Sequence, residues 1–380
     1  MDCVELIINV LAKKFITMFC NASSTITEDE ENLYKDVRFW ANGVFGGCLG
    51  IVGLIMNTLT LIILRSMPEW KHMMNYLLSL LLFVNNLFLI TQIINILAYG
   101  LADFGFDGLM VIVPNLVYPI EKTVLTMGVF FTVSLAHQAY LLTWEYEEYN
   151  MMSSSSELLR KNTLAYAVPI VIVSGVINFP RWFSYKLAKT EDGYKMVETD
   201  MEKNFYYVIY YENFVLNVLT VFVPITLLVF FNWSVFNFIK KKQLEIDSTI
   251  RHTTYLGDQD EKKKKVDERS KPQANILIII IFLFITCHFP RCLLKFADGY
   301  PKDQATRILE MLGRVLLIAY ASATPFIYLT KNTRFRKQFY LLFNKICCCR
   351  TVSSYETDAF ASKSTKKSKI NKSEKSGSLV

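Results

Sequence analysis

Seven apolar stretches, at roughly 41–65, 75–98, 111–143, 164–185, 212–239, 274–297 and 311–330, constrain this chain more than any other feature. Crossing ~30 Å of hydrocarbon at ~1.5 Å per residue takes about 20 mostly apolar residues, and each stretch is that long. Glu121 and Lys122 interrupt the third stretch and Arg314 the seventh. With 52% hydrophobic residues, 28 phenylalanines and only 20% charged residues in 380, the chain is too apolar, and too unevenly so, for one soluble domain. In hydrocarbon the backbone must satisfy its own hydrogen bonds, which restricts a spanning chain to helices or a closed barrel. Barrel strands alternate polar and apolar residues, whereas Ile276–Phe284 is apolar throughout. The expected fold is an all-α membrane protein, a seven-transmembrane helix bundle.

Lysine and arginine orient it. The segment 240–273 carries Lys240–Lys242, Lys262–Lys265, Arg251, Arg269 and Lys271, and the tail beyond Lys331 is richer still in lysine. The positive-inside rule makes both cytoplasmic, and an odd number of spans then puts residues 1–40 outside. There Asp2, Glu5, Glu28, Asp29, Glu30, Glu31 and Asp36 outnumber the basic residues, and Asn21-Ala22-Ser23 is an accessible glycosylation sequon. Sequons at Asn232 and Asn371 fall inside and are expected to be unused. The second inner loop is acidic, with Glu145, Glu147, Glu148 and Glu157, but acidic residues weigh little in the rule. The N-terminal DCVELIINVLAKKF starts with acid rather than base, so it reads as extracellular tail and not as a cleaved signal peptide. The net charge of +7 is concentrated inside and suits an anionic leaflet better than nucleic acid.

Of the eight cysteines, Cys48, Cys287 and Cys292 lie in spans, Cys347, Cys348 and Cys349 on the reducing side, and only Cys3 and Cys20 outside. No metal-ligand spacing or nucleophile–base pair stands out, so neither an enzyme nor a cofactor or metal site is expected. A channel or transporter would place polar stripes through the whole bilayer depth or repeat itself inverted, and neither pattern is visible.

Several motifs resemble the rhodopsin-like G-protein-coupled receptors: Asn57 in Met56–Thr60; Asn75-Tyr76-Leu77-Leu78 opening the second span; Pro224 in the fifth; Cys287-His288-Phe289-Pro290; and Thr324-Pro325-Phe326-Ile327-Tyr328. Arg334–Phe339 is similar to that family's amphipathic eighth helix. Tyr118-Pro119 and the run Asn178-Phe179-Pro180-Arg181-Trp182-Phe183-Ser184-Tyr185 resemble the invertebrate FMRFamide-type neuropeptide receptors. The resemblance covers about 40–345. It implies an extracellular tail over 1–40, a receptor domain over 41–330, amphipathic helix over 331–346 and a cytoplasmic tail over 347–380. A cell-surface receptor for an amidated neuropeptide, acting through a heterotrimeric G protein and arrestin, is the implied function. A receptor-like protein without G-protein output is the second reading. Independently of family, Pro224, Pro290 and Pro325 each remove a backbone hydrogen bond and kink a helix, as pivots or for packing.

Ionisable residues in a span cost about 2.5–3.5 kcal/mol each and are functional candidates by default. Glu121, Lys122, Arg291, Lys295, Glu310 and Arg314 crowd the outer half. Glu121 and Lys122 lie about 100° apart on a helix and cannot both face the bundle centre. The resemblance puts Glu121 and Arg314 inward, so the expected ligand contacts are Glu121, Arg291, Lys295 and Arg314. Either a ligand guanidinium meets Glu121 or Glu121 and Arg314 pair internally; both hold if the ligand competes. Residues 186–211 read as a peptide-contacting lid or a solvated loop. The resemblance implies a disulfide from that loop to the third helix, but no cysteine is there and Pro114 stands near the partner position. Without that tie the lid is expected to be more mobile.

The activation positions depart from the family together. Asn85, Gly128 and Thr324 replace its sodium-site groups, His288 its sixth-helix tryptophan, and Gln138-Ala139-Tyr140 its acidic-Arg-Tyr triplet. Cys347–Cys349 are palmitoylation candidates, Thr351–Ser378 offers phosphorylation sites, and Ser378-Leu379-Val380 fits a PDZ ligand.

Overall fold

A computed structural model describes residues 34–66, 73–102, 113–144, 155–190, 193–252, 276, 278–290 and 304–347. The chain divides into two compact units, Met1–Thr333 and Arg334–Val380. The first is a helical bundle. Its elements are α1 (Gly47–Ser66), α2 (Met73–Ala102), α3 (Tyr118–Trp144), α4 (Ser156–Asn178), β1 (Tyr185–Thr190), β2 (Gly193–Glu198), α5 (Val223–His252), α6 (Ile278–Pro290) and α7 (Gln304–Lys331). Wider π-helical turns at Arg38–Gly46, Val113–Val117, Tyr207–Val215 and Val218–Phe222 lead into α1, α3 and α5, and a 3₁₀ turn, Phe179–Phe183, follows α4.

Among the described residues, six helices are long and apolar enough to cross a membrane: Tyr34–Ser66, Met73–Ala98, Val113–Trp144, Glu157–Phe183, Val218–Phe238 and Thr306–Lys331. Of the sixth apolar stretch, the described residues include the shorter helix α6, Ile278–Pro290. Several helices outrun their apolar runs. The start of α4 is fixed by Ser155, whose Oγ accepts the N–H of Leu158 at 3.1 Å, an N-cap that sets the helix going before hydropathy rises. Within the spans, threonine hydroxyls turn back to the carbonyl four residues earlier, as Thr60 does to Met56, Thr132 to Gly128 and Thr220 to Leu216, which satisfies these donors within their own helices.

Helix α3 is central, packed against α2, α4 and α5, while α1 packs on α2 and α7. Leu77, Leu81, Leu82 and Leu89 of α2 and Phe131, Leu135 and Ala136 of α3 are buried. Helices α4 and α5 instead expose Val171, Ile172, Val176, Val229, Phe230, Trp233 and Phe236. An apolar surface of that extent suits hydrocarbon and not water, as expected of a membrane protein.

Where a loop or lid was expected, β1 and β2 form an antiparallel hairpin, Tyr185 opposite Glu198 and Thr190 opposite Gly193. Thr199 fastens its base, donating its N–H to the Ser184 carbonyl at 2.9 Å and its hydroxyl to Phe183 at 2.8 Å. Backbone ladder bonds thus order the segment without a disulfide.

The second unit contains most of α8 (Thr333–Cys347), where Phe335, Phe339 and Phe343 stack at i, i+4 spacing with centroids 6.5 and 6.2 Å apart. Arg336 and Lys337 are exposed, giving the amphipathic pattern read from sequence.

Candidate functional site

At the hairpin end of the bundle, α3 starts with Tyr118 and places Glu121, Lys122 and Thr126 over its next two turns. Glu121 is largely buried, and both of its oxygens are engaged. Asn95 of α2 donates its Nδ2 to Oε2 at 2.8 Å, and Lys122 Nζ lies 2.9 Å from Oε1. The lysine's reach overcomes the angular separation, so neighbours that cannot share a helix face still pair. Lys122 Nζ also stands 5.1 Å from the centre of the Tyr118 ring.

A second charged pair adjoins the first. Arg181, in the 3₁₀ turn after α4, is 5% exposed. Its guanidinium approaches the same Tyr118 ring at 5.9 Å, its Nη1 donates to Asn178 Oδ1 at 3.0 Å, and its Nε lies 3.6 Å from Glu212 Oε1. Asn178 in turn donates to Thr126 Oγ1 at 3.0 Å and to the Ser174 carbonyl at 2.9 Å. Tyr185, at the start of β1, meets Tyr118 edge-on at 5.9 Å, and the Tyr211 hydroxyl donates to the Ile177 carbonyl. The run Asn178–Tyr185 therefore joins α4, α3 and the hairpin around one buried cation. Between hairpin and α5, burial pushes the Glu202 carboxyl above its usual range, and Glu212 and Glu198 add to that shift.

Below this network two cavities meet at Leu125, Val129 and His288. One is also lined by Thr126, Arg181, Leu216 and Val221, the other by Asn85, Phe88 and Gly128. His288 stacks on Phe284 with centroids 4.1 Å apart and meets Tyr320 edge-on at 5.5 Å. Tyr320 OH and Thr132 Oγ1 are 2.9 Å apart, which ties this aromatic floor to α3. Asn85 and Thr324 are buried, and Gly128 lies beside Asn85, where an added Cβ would meet Asn85 Oδ1 at an ordinary contact of 3.9 Å.

At the opposite end of α3, Gln138 and Ala139 are buried, and neither amide atom of Gln138 has a hydrogen-bond partner among the described residues. Tyr140 sits among rings, with centroids 6.3 Å from Trp144, 5.7 Å from Phe231 and 6.5 Å from Phe230. His137 lies 5.4 Å from Phe231, and its Nδ1 is 3.3 Å from the Tyr166 hydroxyl. Aromatic packing of α3 on α4 and α5 occupies the place where the resemblance would put an ion pair. Tyr328 is buried near the end of α7.

The residues expected from sequence are therefore not gathered as a group. Glu121 is in the network, but Arg314 is exposed on α7 and makes no ion pair with it; Lys122 and Asn95 take that role instead. Arg291, Lys295, Asn21, Cys348, Cys349, Ser378, Leu379 and Val380 lie outside the described residues, as does the side chain of Cys347. Sequence reasoning gave no role to Asn95, Arg181 or Glu212. Arg181 carried a readable signal, an arginine inside an otherwise apolar span end, and so did Glu212 at the start of the fifth stretch. Among the described residues no group of three or more His, Cys, Asp or Glu side chains could hold a metal ion.

No protein-family profile matches the chain. It is 20% identical over 321 residues to the FMRFamide receptor of Drosophila melanogaster, an alignment covering 81% of this chain and 55% of that receptor. It is 24% identical over 321 residues to the FMRFamide peptide receptor frpr-18 of Caenorhabditis elegans, covering 80% of this chain and 69% of that protein. The chain thus spans little more than half the length of the fly receptor.

Proposed function

We propose that the chain is a divergent neuropeptide receptor of the rhodopsin-like seven-helix class, taking an amidated FMRFamide-like peptide at the hairpin end of the bundle. The observation that carries the reading is the similarity to two FMRFamide-type receptors over four-fifths of the chain. In this reading α6 belongs to a seventh span at 274–297. The hairpin faces the cell exterior, and α5 extends its basic end, with Lys240 and Lys241, into the cytoplasm. The charged residues of α3 and the Arg181–Glu212 pair bound the ligand entrance, and the cavities below them reach His288.

A second reading keeps the receptor architecture without G-protein output, and the opposite end of α3 favours it. Ala139 offers no cation to a partner, and the rings of Tyr140, Trp144, Phe230 and Phe231 pack α3 against α5. The deciding experiment is a screen of amidated peptides on cells displaying the chain, with G-protein activation and arrestin recruitment read separately. The first reading expects both responses. Binding without G-protein response, unrepaired by Gln138→Glu with Ala139→Arg, selects the second. No binding by any peptide rejects both.

A further inference from the structure

The Tyr118 ring receives two cations. Lys122 Nζ lies 5.1 Å and the Arg181 guanidinium carbon 5.9 Å from its centre, both inside the ~6 Å over which an aromatic face attracts positive charge. Each cation also has an anion of its own, Glu121 for Lys122 at 2.9 Å and Glu212 for Arg181 at 3.6 Å. One ring thus joins an ion pair within α3 to a pair that links the 3₁₀ turn to residues 207–215. Two like charges on one ring repel each other, so what strengthens one contact weakens the other.

Arg181 passes its position to the hairpin. It is 5% exposed, and its Nη1 is fixed on Asn178 Oδ1 at 3.0 Å. Its carbonyl accepts the Ser184 N–H at 3.4 Å, and the Ser184 carbonyl accepts the Thr199 N–H at 2.9 Å, the bond that closes the strand pair at its base. Tyr185, which opens β1, meets the same Tyr118 ring edge-on at 5.9 Å. The contacts therefore run from Glu121 through Lys122, the Tyr118 ring and Arg181 to the amide of Thr199.

We propose that Tyr118 is a positioning residue that couples the charge at the Glu121–Lys122 pair to closure of the hairpin base. Less positive charge on the Lys122 side leaves the ring to Arg181 and tightens the base; more positive charge there loosens it. The device needs no ligand and stands apart from the peptide-receptor reading. A ligand cation seated on Glu121 would act through it as Glu121→Gln does, by taking the anion from Lys122.

The test is hydrogen exchange of the amides at 194–199, Thr199 among them, in the full chain purified in nanodiscs at one pH and ionic strength. Lys122→Gln is expected to slow exchange and Glu121→Gln to speed it, each by about threefold, the scale of one cation–π contact. Tyr118→Phe keeps the ring and preserves both shifts, whereas Tyr118→Leu abolishes them. Shifts of the same size in Tyr118→Leu assign the effect to charge acting through space and overturn the role of the ring. Loss of both shifts in Tyr118→Phe traces them to the hydroxyl and overturns it as well. Shifts of one sign, or none, in the two charge variants overturn the coupling itself, and that pair decides alone if Tyr118→Leu cannot be purified.

Discussion

Asn57 donates its Nδ2 to the main-chain carbonyl of Ala321 at 3.0 Å, and Ala321 stands four residues before Pro325. In an uninterrupted helix that carbonyl would receive the N–H of residue 325, which proline lacks. The fully buried asparagine of α1 supplies the missing donor, so the break in α7 is satisfied by its neighbour. Asn57→Ala leaves the carbonyl unpaired and is expected to cost about 1–3 kcal/mol, read as a fall in Tm in detergent. In a Pro325→Ala background, where the helix can close its own bond, the same substitution should cost less. Equal costs in the two backgrounds would show that Asn57 acts by packing alone.

Gly53 faces the same helix pair. A Cβ there would overlap the side chain of Ser322, whose hydroxyl donates to the Leu49 carbonyl at 3.3 Å. Gly53→Ala is expected to lower Tm by the equivalent of about 1–3 kcal/mol, the usual cost of overpacking. Adding Ser322→Gly should recover most of it. A single variant as stable as wild type would mean that α1 and α7 move apart freely at this contact.

The apolar runs made six of the seven expected spans legible, because a run long enough to cross a bilayer leaves the chain few alternatives. Helix ends were less so, since Ser155 caps α4 before hydropathy rises. The sequence of 186–211 reads as a peptide-contacting lid or a solvated loop, although Asp192-Gly193 is a hairpin-turn signal between the two short strands that form. Glu121 was recognisable as a costly charge, but its partners were not. Asn95 reaches it from another helix and Lys122 by bending a long side chain, and neither follows from spacing along α3. Arg181 stood in the most distinctive run of the sequence, yet a motif read for resemblance does not show that its arginine is buried between Tyr118, Asn178 and Glu212.

Gln138 carries a buried amide with neither group paired among the described residues. Such groups pay a desolvation penalty with nothing returned, about 1–3 kcal/mol in protein series. Gln138→Leu, similar in volume and without polar atoms, is therefore expected to raise Tm, measured on the purified protein in detergent. A loss of stability would show that the amide is satisfied by water or by a partner in the assembled protein.

Glu202 gives the hairpin end a pH dependence. Its folded carboxyl is raised above the ordinary 4.5, chiefly by burial. In the window between those values the folded state holds more protons than the unfolded one, so stability falls as pH rises. The contribution is full below the ordinary value and is lost as pH passes the raised one. Hydrogen exchange of residues 193–208 should slow on mild acidification in wild type, after correction for the intrinsic rate, and Glu202→Gln should flatten the profile. An unchanged profile in that variant would assign the dependence to another group.

The Glu121–Lys122 pair makes opposite predictions for its two members. On the proposed peptide-receptor reading, Lys122 competes for the carboxylate that a basic peptide would use, and it is held there by a 2.9 Å contact and by the Tyr118 ring. Glu121→Gln removes the anion and should lower potency for an arginine-bearing peptide by about tenfold or more, the scale of a charge-assisted hydrogen bond lost. Lys122→Gln frees the anion and should raise potency for the same peptide, with the gain shrinking as salt screens the attraction. Asn95 continues to orient Glu121 through its 2.8 Å bond in that variant. Dose–response curves at matched surface expression and two ionic strengths measure both effects. If the two substitutions shift potency in the same direction, Glu121 serves to hold α2 and α3 together and the ligand's cation is read elsewhere.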